Sequence, residues 1–406
     1  MLAAVYSVLL VFLSGVVYSR LTAESAAWEQ PECIRRGTLF TARFILKMAA
    51  DLVYLVTGGC GFLGEQIVEL LTKEDHISEV RIFDTLESES VKAFATATKV
   101  TVIKGDITEY SQLLEAMKGV HVVVHTAALL DYLDLEPFWK MKSVNVGGTE
   151  NVIEACCAQS VPYLLYTSSI SALGPNAQLE SMLRGTEDTK YNGEPVLPYG
   201  KTKAMAEKLV LKANGEQLAN GNKLVTCVIR PSNIYGEKLK EIQNTYVATK
   251  ARKGCLTSLE PEGVQNNFTY VGNVAWMHVL AARQLQLKPE VLGGQLYYSY
   301  DDTPVRQRCL LMRNLFLEVD PTVRLGSCVP YWKMCLFIHI HGLISFLVKP
   351  FRTIKPILTK QLLNVIVTSL SYETDKATRH FEYSPRYSWE ETKSRVSQWL
   401  KSIKDN

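Results

Sequence analysis

Short apolar runs alternate with amphipathic stretches through the first half of the chain. The run at 53–56 is short enough for a buried strand, and the residues after Gly64 carry apolar side chains at helical spacing. Further apolar runs lie at 80–83, 100–103 and 122–124, each closed by polar or small residues. Strands that alternate with helices form parallel sheets covered on both faces. The pattern predicts an α/β protein built on a doubly wound parallel sheet.

The first strand and helix are joined by a turn that contains Gly58, Gly61 and Gly64. A turn without side chains lets the backbone approach a pyrophosphate, and the helix behind the turn offers free N–H groups and the positive end of its dipole. Three such glycines are also compatible with an ordinary tight turn. Placed between a strand and a helix, they predict a dinucleotide site of the Rossmann type.

Two carboxylates close the next strands. Asp84 ends the run at 80–83, 20 residues after Gly64, where a carboxylate can bind the two hydroxyls of an adenosine ribose. Because no basic residue follows Asp84 directly, a 2′-phosphate would be repelled and NAD is favoured over NADP. A surface aspartate at a strand end is the alternative interpretation. Asp106 closes the run at 100–103 in the same way.

A tyrosine and a lysine further along have the spacing of one helical face. Tyr199 and Lys203 are four residues apart at the start of a helical stretch. A phenol has a pKa of about 10, and a neighbouring ammonium stabilises the phenolate and lowers that pKa. Tyr199 could take the proton of a substrate hydroxyl, Lys203 could reach the nicotinamide ribose, and Ser169 could hydrogen-bond the same substrate oxygen. Without a cofactor fold upstream, an amphipathic surface pair would be the simpler interpretation.

Composition narrows the classes of partner. Of the 406 residues, 21% are charged and 47% apolar, which is typical of a folded protein with a large core. A net charge of +3, without a basic run interleaved with aromatics, argues against nucleic acid as a partner. Nine cysteines show neither a C-x-x-C pair nor a Cys/His ligand spacing, so no disulfide framework and no metal site is predicted. The catalytic part is expected in the reducing cytosol.

Two long apolar segments lie outside the alternating pattern. Residues 2–19 carry no charge and are followed by arginines, which fits a membrane anchor with the next domain in the cytosol. Because Met48 precedes the first strand, residues 1–47 are equally compatible with an extension that the fold does not need. The segment 335–348 has aromatic and basic flanks that suit a membrane interface, although a buried core helix has the same length. A membrane-associated region is predicted over 331–370.

Several motifs resemble those of the extended short-chain dehydrogenase/reductases. The shared motifs are T-G-G-x-G-F-x-G at 57–64, the strand-end residues Asp84 and Asp106, N-V-x-G-T at 145–149, Y-T-S-S at 166–169, Y-x-x-x-K at 199–203 and R-P-x-x-x-Y-G at 230–236. Others resemble one branch, the 3β-hydroxysteroid dehydrogenase/Δ5–Δ4 isomerases: G-P-N at 174–176, Y-V-G-N-V-A-W at 270–276, D-D-T-P at 301–304 and Y-S-W-E at 387–390. Within that branch, the stretches at 276–283, 374–377 and 379–381 are most similar to the type 7 enzyme. The likeness extends from about residue 52 to residue 401.

The resemblance implies a reaction. Tyr199 takes the proton of the 3β-hydroxyl of a Δ5 steroid while hydride passes from C3 to NAD, and the double bond then moves into conjugation with the new ketone. The type 7 branch acts on C27 7α-hydroxylated sterols on the route to bile acids, at the endoplasmic reticulum membrane with the catalytic domain facing the cytosol. Ser169 is preferred to Ser168 because it lies 30 residues before Tyr199, as in the family. A homodimer is left open.

Other functions share parts of this residue set. Within enzymes they are a C19/C21 steroid dehydrogenase/isomerase of hormone synthesis, a sterol C4-decarboxylating dehydrogenase and a nucleotide-sugar epimerase. An epimerase should line its substrate lobe with basic, phosphate-binding residues, whereas an apolar lobe favours a sterol. A non-catalytic NAD-binding regulatory protein is the alternative from another class, and the intact set of Ser169, Tyr199 and Lys203 argues against it.

The C-terminal half departs from the family in places. The resemblance puts Asp301 and Asp302 in a motif tied to steroid binding or isomerisation, although adjacent aspartates are also typical of a loop turn. Ser171 stands where the family usually has Glu, which leaves the dehydrogenase set intact but bears on the isomerase step.

The expected domain organisation follows from these motifs. We expect an NAD-binding Rossmann domain at 50–235, re-entered by residues 268–285. A smaller C-terminal lobe at 236–406 should be apolar inside and close over the substrate.

Overall fold

The computed structural model describes residues 51–88, 91, 94, 98–349 and 351–404. The extension predicted at 1–47, with its candidate anchor at 2–19, lies outside the described residues.

The strands are β1 (Leu52–Thr57), β2 (Ile77–Asp84), β3 (Lys99–Lys104), β4 (Val122–His125), β5 (Tyr163–Thr167), β6 (Met182–Gly185), β7 (Val225–Arg230), β8 (Asn233–Tyr235), β9 (Cys255–Ser258), β10 (Phe268–Tyr270), β11 (Gln295–Tyr298), β12 (Arg324–Cys328) and β13 (Leu370–Tyr372). The α-helices are α1 (Phe62–Leu71), α2 (Tyr110–Ala116), α3 (Phe138–Lys142), α4 (Gly148–Gln159), α5 (Pro198–Lys212), α6 (Lys240–Ala251), α7 (Val271–Leu287), α8 (Pro289–Leu292), α9 (Arg308–Leu317), α10 (Tyr331–Val348), α11 (Lys360–Val367), α12 (Lys376–Phe381) and α13 (Trp389–Lys404). A π-helical turn, Ser143–Gly147, joins α3 to α4, and a 3-10 turn, Ile170–Ala172, follows β5.

Seven strands form one parallel sheet in the order β3-β2-β1-β4-β5-β7-β11. The predicted α/β class, with a doubly wound Rossmann sheet, is confirmed. The strand order reverses between β1 and β4, which pair with Thr57 opposite His125. In open α/β sheets ligands bind outside the carboxyl ends of the strands at such a reversal.

Side chains of the central strands alternate between two cores, one on each face of the sheet. On β1, Tyr54 and Val56 pack into the core that contains α1 and α7, whereas Leu55 packs into the core that contains α4 and α5. All four residues of β4 are buried. A strand covered on both faces of the sheet has apolar side chains on both faces. Short uninterrupted apolar runs in the sequence therefore predicted these strands correctly.

The C-terminal part of the chain adds a smaller lobe. Its core contains Tyr235, Tyr246, Phe316 and Val396, and its short parallel strand pairs are β8/β10, β9/β12 and β6/β13. Because β6 precedes residue 235 and β13 follows it by more than a hundred positions, the lobe draws on both sides of the predicted domain boundary.

Helix α10 differs from every other long helix described. Its 18 residues are apolar enough to cross a membrane by length and composition, and only Met334 among them is buried. The large apolar side chains that it leaves exposed are Trp332, Leu336, Phe337, Ile340, Leu343, Ile344, Phe346 and Leu347. The alternative prediction of a buried core helix at 335–348 is therefore wrong.

Candidate active site

A cavity of about 1320 Å³ opens at the carboxyl ends of the strands, beside the reversal of strand order. The predicted residues that line it are Gly58, Gly61, Phe62, Gly64, Asp84, Asp106, Ser169, Tyr199 and Lys203. The folded chain thus brings together side chains that are spread over 145 positions of sequence. The two exceptions among the predicted site residues are Asp301 and Asp302, which are described below.

The glycine turn is shaped by close backbone contacts. Gly58 has a φ of +71°, and a methyl group added there would lie 2.7 Å from the backbone of Ala127 in the loop after β4. A methyl group on Gly64 would collide with the carbonyl oxygen of Gly58. The backbone and the N-terminus of α1 consequently face the cavity without intervening side chains, and this arrangement fits a pyrophosphate.

Asp84 lies at the end of β2 with its carboxylate held in place by backbone donors. One oxygen accepts the N–H of Cys60 at 3.0 Å, and the other accepts the N–H of Leu86 at 3.0 Å. Each carboxylate oxygen has a second lone pair, so both can still accept a ribose hydroxyl. Asp106 is positioned similarly, with one oxygen accepting from the backbone N–H and the hydroxyl of Thr108 at 2.9 Å.

Tyr199 is brought to Ser169 by the way α5 begins. The helix starts at Pro198, and Gly200 lies so close to the carbonyl oxygen of Ser171 that a side chain there would collide with it. This packing of α5 on the 3-10 turn puts Tyr199 in hydrogen-bonding range of the Ser169 side chain. The Tyr199 ring also meets the ring of Tyr132 edge-on, with centroids 5.4 Å apart.

The Tyr199 phenol and the Lys203 amine on α5 are both buried, and burial dominates their protonation. It raises the pKa of Tyr199 well above 10, with Tyr132 and Tyr166 adding to the rise and the Ser169 hydrogen bond opposing it. It lowers the pKa of Lys203 to about 7. The lowered tyrosine pKa that we expected from the spacing is therefore not present in this arrangement, because loss of solvent outweighs the neighbouring amine.

The Lys203 amine has defined partners. Its Nζ donates to the carbonyl oxygen of Thr167 at 2.5 Å and lies 4.3 Å from the centre of the Tyr166 ring. The carbonyl and the ring orient the ammonium at the end of β5, next to Ser168 and Ser169.

A buried ion pair behind the site was not predicted from the sequence. Glu207, one turn after Lys203 on α5, pairs with Arg230 at the end of β7 at 2.5 Å. The same carboxylate accepts from the Ser168 hydroxyl at 2.6 Å, whereas the Ser169 hydroxyl oxygen accepts from the Ser171 backbone N–H at 3.1 Å. The two adjacent serines thus have different partners. The only sequence signal for Glu207 is its position four residues after Lys203.

Polar residues below the cavity form a second unpredicted group. His125, fully buried, lies between the hydroxyls of Thr57 (2.7 Å) and Thr149 (3.0 Å), and burial lowers its pKa to about 3. Asn145, on the π-helical turn, bonds both backbone groups of Leu129. The Asn145 bonds hold the loop after β4 to the π-helical turn. The motifs at 57–64 and 145–149 contain Thr57, Asn145 and Thr149 but did not predict these contacts.

Asp301 and Asp302 are not among the residues that line the cavity. One Asp301 oxygen accepts the N–H of Tyr270 at 2.8 Å and the amide of Asn273 at 3.0 Å, and the other accepts the N–H of Thr303 at 2.9 Å. The buried Asp301 carboxylate is thus engaged in joining the loop after β11 to the start of α7. The role in steroid binding or isomerisation that the resemblance implies for Asp301 and Asp302 stays a prediction.

The far half of the cavity belongs to the smaller lobe, and its lining is part apolar and part polar. The polar residues are Ser232, Asn233, Glu241, Asn244, Glu260, Asn266, Asn267 and Arg308. Its apolar lining consists of Ile234, Leu239, Phe268, Met312, Ile357, Leu362, Val365, Ile366 and Leu370. Arg308 is the one cation among the described residues lining this half, and it is paired with Glu241. Over the described ranges, no cluster of His, Cys, Asp and Glu could hold a metal ion.

Comparison with solved structures identifies the class of fold. The chain is similar to MoeE5 in complex with UDP-glucuronic acid and NAD (TM-score 0.62, 19% identity, 87% of this chain and 100% of the other). It is also similar to the Streptomyces venezuelae dTDP-glucose 4,6-dehydratase DesIV with NAD and TYD bound (TM-score 0.63, 19% identity, 87% and 98%). At these identities the likeness shows the fold alone.

Comparison of sequences identifies the family. The model of the 3-beta hydroxysteroid dehydrogenase/isomerase family matches residues 55–330. The 3 beta-hydroxysteroid dehydrogenase type 7 of Mus musculus is 41% identical over 356 residues, covering 87% of this chain and 96% of that protein. The Homo sapiens protein of the same name is 40% identical over 366 residues, covering 87% and 97%. The chain belongs to the 3β-hydroxysteroid dehydrogenase/isomerase family and is an oxidoreductase of that family.

Proposed function

We propose that the protein oxidises the 3β-hydroxyl of a Δ5 steroid to the ketone with NAD and moves the double bond from Δ5 to Δ4. The observation that carries this proposal is that Ser169, Tyr199 and Lys203 line the same cavity as the glycine turn and Asp84. Family membership supports the reaction class. Catalytic and cofactor roles are assigned on these grounds.

In this proposal Tyr199 is the base that removes the proton of the substrate hydroxyl. Its hydroxyl would take the proton of the substrate's 3β-hydroxyl, while Ser169 hydrogen-bonds the same oxygen and keeps it oriented. Burial disfavours the phenolate, so Tyr199 can act as a base only with positive charge close by. Lys203, one helical turn away and bonded to the Thr167 carbonyl, would provide that charge in its protonated form.

NAD would be held by the glycine turn and the two strand-end carboxylates. The N-terminus of α1 would bind the pyrophosphate, and Asp84 the adenosine ribose. When bound, NAD supplies the hydride acceptor. The negative charge of Asp84 disfavours a 2′-phosphate, which supports NAD over NADP.

The lining of the smaller lobe supports a steroid over a sugar nucleotide. A second diphosphate would need unpaired cations, and Arg308 is already paired with Glu241. The apolar wall that includes Phe268, Met312 and Ile366 suits a polycyclic hydrocarbon instead.

For the substrate class we propose C27 7α-hydroxysterols of bile acid synthesis. The support is the similarity to type 7 proteins of two mammals and to the type 7 stretches at 276–283 and 374–381. The base for isomerisation is left unassigned, since Asp301 faces backbone donors and Ser171 replaces the family's usual Glu.

We also propose that the protein is attached to the endoplasmic reticulum membrane with its catalytic part in the cytosol. Helix α10 supports attachment because its apolar side chains are exposed around most of its circumference.

One assay tests the reaction and the substrate class. Membranes containing the protein are incubated with NAD and either 7α-hydroxycholesterol or pregnenolone, and formation of a conjugated enone is followed by ultraviolet absorbance. We expect product from the C27 sterol. Product from pregnenolone alone would contradict the C27 substrate class and favour a C19/C21 dehydrogenase of hormone synthesis. Product from neither steroid would contradict the steroid assignment.

A further inference from the structure

One wall of the cavity is also part of the molecular surface. Ile357 lines the cavity and yet is 69% exposed. Leu362, Val365 and Ile366 of α11 line it as well and are only half-buried. Where one side chain both lines the cavity and is exposed at the molecular surface, the cavity wall is only one residue thick. The cavity therefore comes closest to the molecular surface at residues 357–366.

This wall is joined directly to α10. The Tyr331 hydroxyl at the start of α10 donates to Asn364 of α11 at 3.1 Å. The Ser345 hydroxyl donates to the carbonyl oxygen of Ile354 at 3.1 Å. The exposed apolar helix and the cavity wall are therefore joined, and we call them together the α10–α11 hairpin (described residues 331–349 and 351–367).

The charges of this hairpin suit a phospholipid surface. Between residues 329 and 372 the chain has Lys333, Lys349, Arg352, Lys355 and Lys360, and no Asp or Glu. Basic residues next to an exposed apolar surface attract anionic headgroups, while the apolar side chains enter the acyl region. The exposed apolar side chains and the positive charge thus both favour a lipid bilayer as the partner of this surface. A second copy of the basic hairpin would be repelled by the first.

We propose that the substrate passes between bilayer and active site through the wall at 357–366, without crossing water. This inference rests on the proposed steroid function and adds the route of access. A steroid that enters from the acyl region keeps its apolar surface out of water throughout, whereas entry through solvent requires full hydration first.

The test compares two ways of presenting the sterol to the full-length protein in phosphatidylcholine/phosphatidylserine vesicles. The sterol is placed either in the same vesicles as the protein or in separate, protein-free vesicles, and desorption of the sterol from vesicles is measured independently. We expect turnover in the shared vesicles to exceed the desorption rate, and turnover from separate vesicles to be limited by it. Equal rates in both arrangements would overturn the proposed route.

A matched pair of variants locates the route on the molecule. Ile357→Glu puts a charge on the exposed wall and should lower kcat/KM for sterol in the shared bilayer by roughly tenfold, since a carboxylate is unfavourable in the acyl region. Val247→Glu, at a 56% exposed position of α6 that does not line the cavity, should leave it unchanged. Equal effects of the two variants would contradict the proposal. NAD affinity and thermal unfolding of each variant show that it has folded.

The controls separate this inference from the proposed function. If detergent-solubilised sterol gives no product with the wild-type protein, the proposed function fails. If detergent-solubilised sterol is converted but the two vesicle arrangements give equal rates, only the route fails. Protein that stays in the supernatant when vesicles are pelleted would show that something other than lipid covers α10, and this would overturn the route as well.

Discussion

At the scale of single residues, the candidate site is governed by burial. Tyr199 and Lys203 are both nearly inaccessible to solvent, so the neutral form of each is favoured. A buried amine with a pKa near 7 can change its charge at physiological pH, which an exposed lysine cannot.

Tyr199→Phe tests the assignment of the base. We expect NAD binding to be nearly unchanged, because the glycine turn and Asp84 are untouched, while kcat for sterol oxidation falls by roughly a hundred- to ten-thousandfold. Titration of NAD and initial rates of enone formation provide the two measurements.

Tyr246→Phe is the matched control for that substitution. Tyr246 is buried in the smaller lobe, does not line the cavity, and its hydroxyl has no hydrogen-bond partner within the described residues. Removing the Tyr246 hydroxyl should leave kcat for sterol oxidation unchanged. Full activity in Tyr199→Phe would refute the proposed base.

Lys203→Met tests the buried amine through stability. The pKa of Lys203 falls from 10.5 to about 7 on folding, so between these values the unfolded chain binds the extra proton and the folded one does not. The cost of the buried charge is fully present below about pH 7 and is relieved as the pH rises. Because methionine does not titrate, the free energy of unfolding of wild type relative to Lys203→Met should increase by about 1.4 kcal/mol per pH unit from pH 7 to 9.

Urea denaturation at three pH values measures this difference. Lys208→Met, at an exposed position of the same helix, is the control, and its difference from wild type should stay constant. A constant difference for Lys203→Met as well would show that the amine is not buried in the folded protein.

The residues that the sequence predicted share a local pattern. Tyr199 and Lys203 are one helical turn apart, and Gly58 and Asp84 flank strand ends, so short spacing was enough to find them. Glu207 and Arg230 contact each other across 23 positions, and Tyr132 reaches Tyr199 from a loop. The residues next to Glu207, Arg230 and Tyr132 in the sequence give no signal of those contacts. Asp301 is the opposite case. Its D-D-T-P motif can be found in the sequence, but the motif does not tell that a carboxylate oxygen accepts a backbone N–H.

At the scale of secondary-structure elements, the glycine turn couples the fold to cofactor binding. Gly64→Ala would push α1 away from the Gly58 carbonyl, so we expect NAD affinity to fall more than tenfold and stability by about 1–3 kcal/mol. Isothermal titration and denaturation measure the two effects.

Gly342→Ala provides the control for the turn. Gly342 lies within α10 with open space around it, so an added methyl group should be tolerated there. Wild-type NAD affinity in Gly64→Ala would mean that the turn does not approach the cofactor.

Strands were easier to predict in the large sheet than in the smaller lobe. Buried parallel strands are uninterrupted apolar runs, which the sequence displays directly. The pairs β6/β13 and β9/β12 are short and join segments 69 or more positions apart, so only the folded chain reveals them.

At the scale of the whole molecule, the proposed membrane attachment through α10 can be tested by charge substitutions. Leu343→Glu combined with Leu347→Glu puts two charges on exposed apolar positions of α10. Each carboxylate is unfavourable by about 2.5–3.5 kcal/mol in the centre of a bilayer, so the double variant should shift from the membrane pellet to the supernatant. Val247→Glu should remain in the pellet. Retention of the double variant in the pellet would place membrane attachment elsewhere in the chain.

The position of α10 within the chain limits how a water-soluble form could be engineered. Ending the protein before Tyr331 would remove β13, the partner of β6, along with Val396 and Leu400 from the core of the smaller lobe. Such a truncation would disrupt the smaller lobe as well as remove the apolar helix. A crystallisable variant would instead have to replace the outward-facing side chains one by one and keep the backbone continuous.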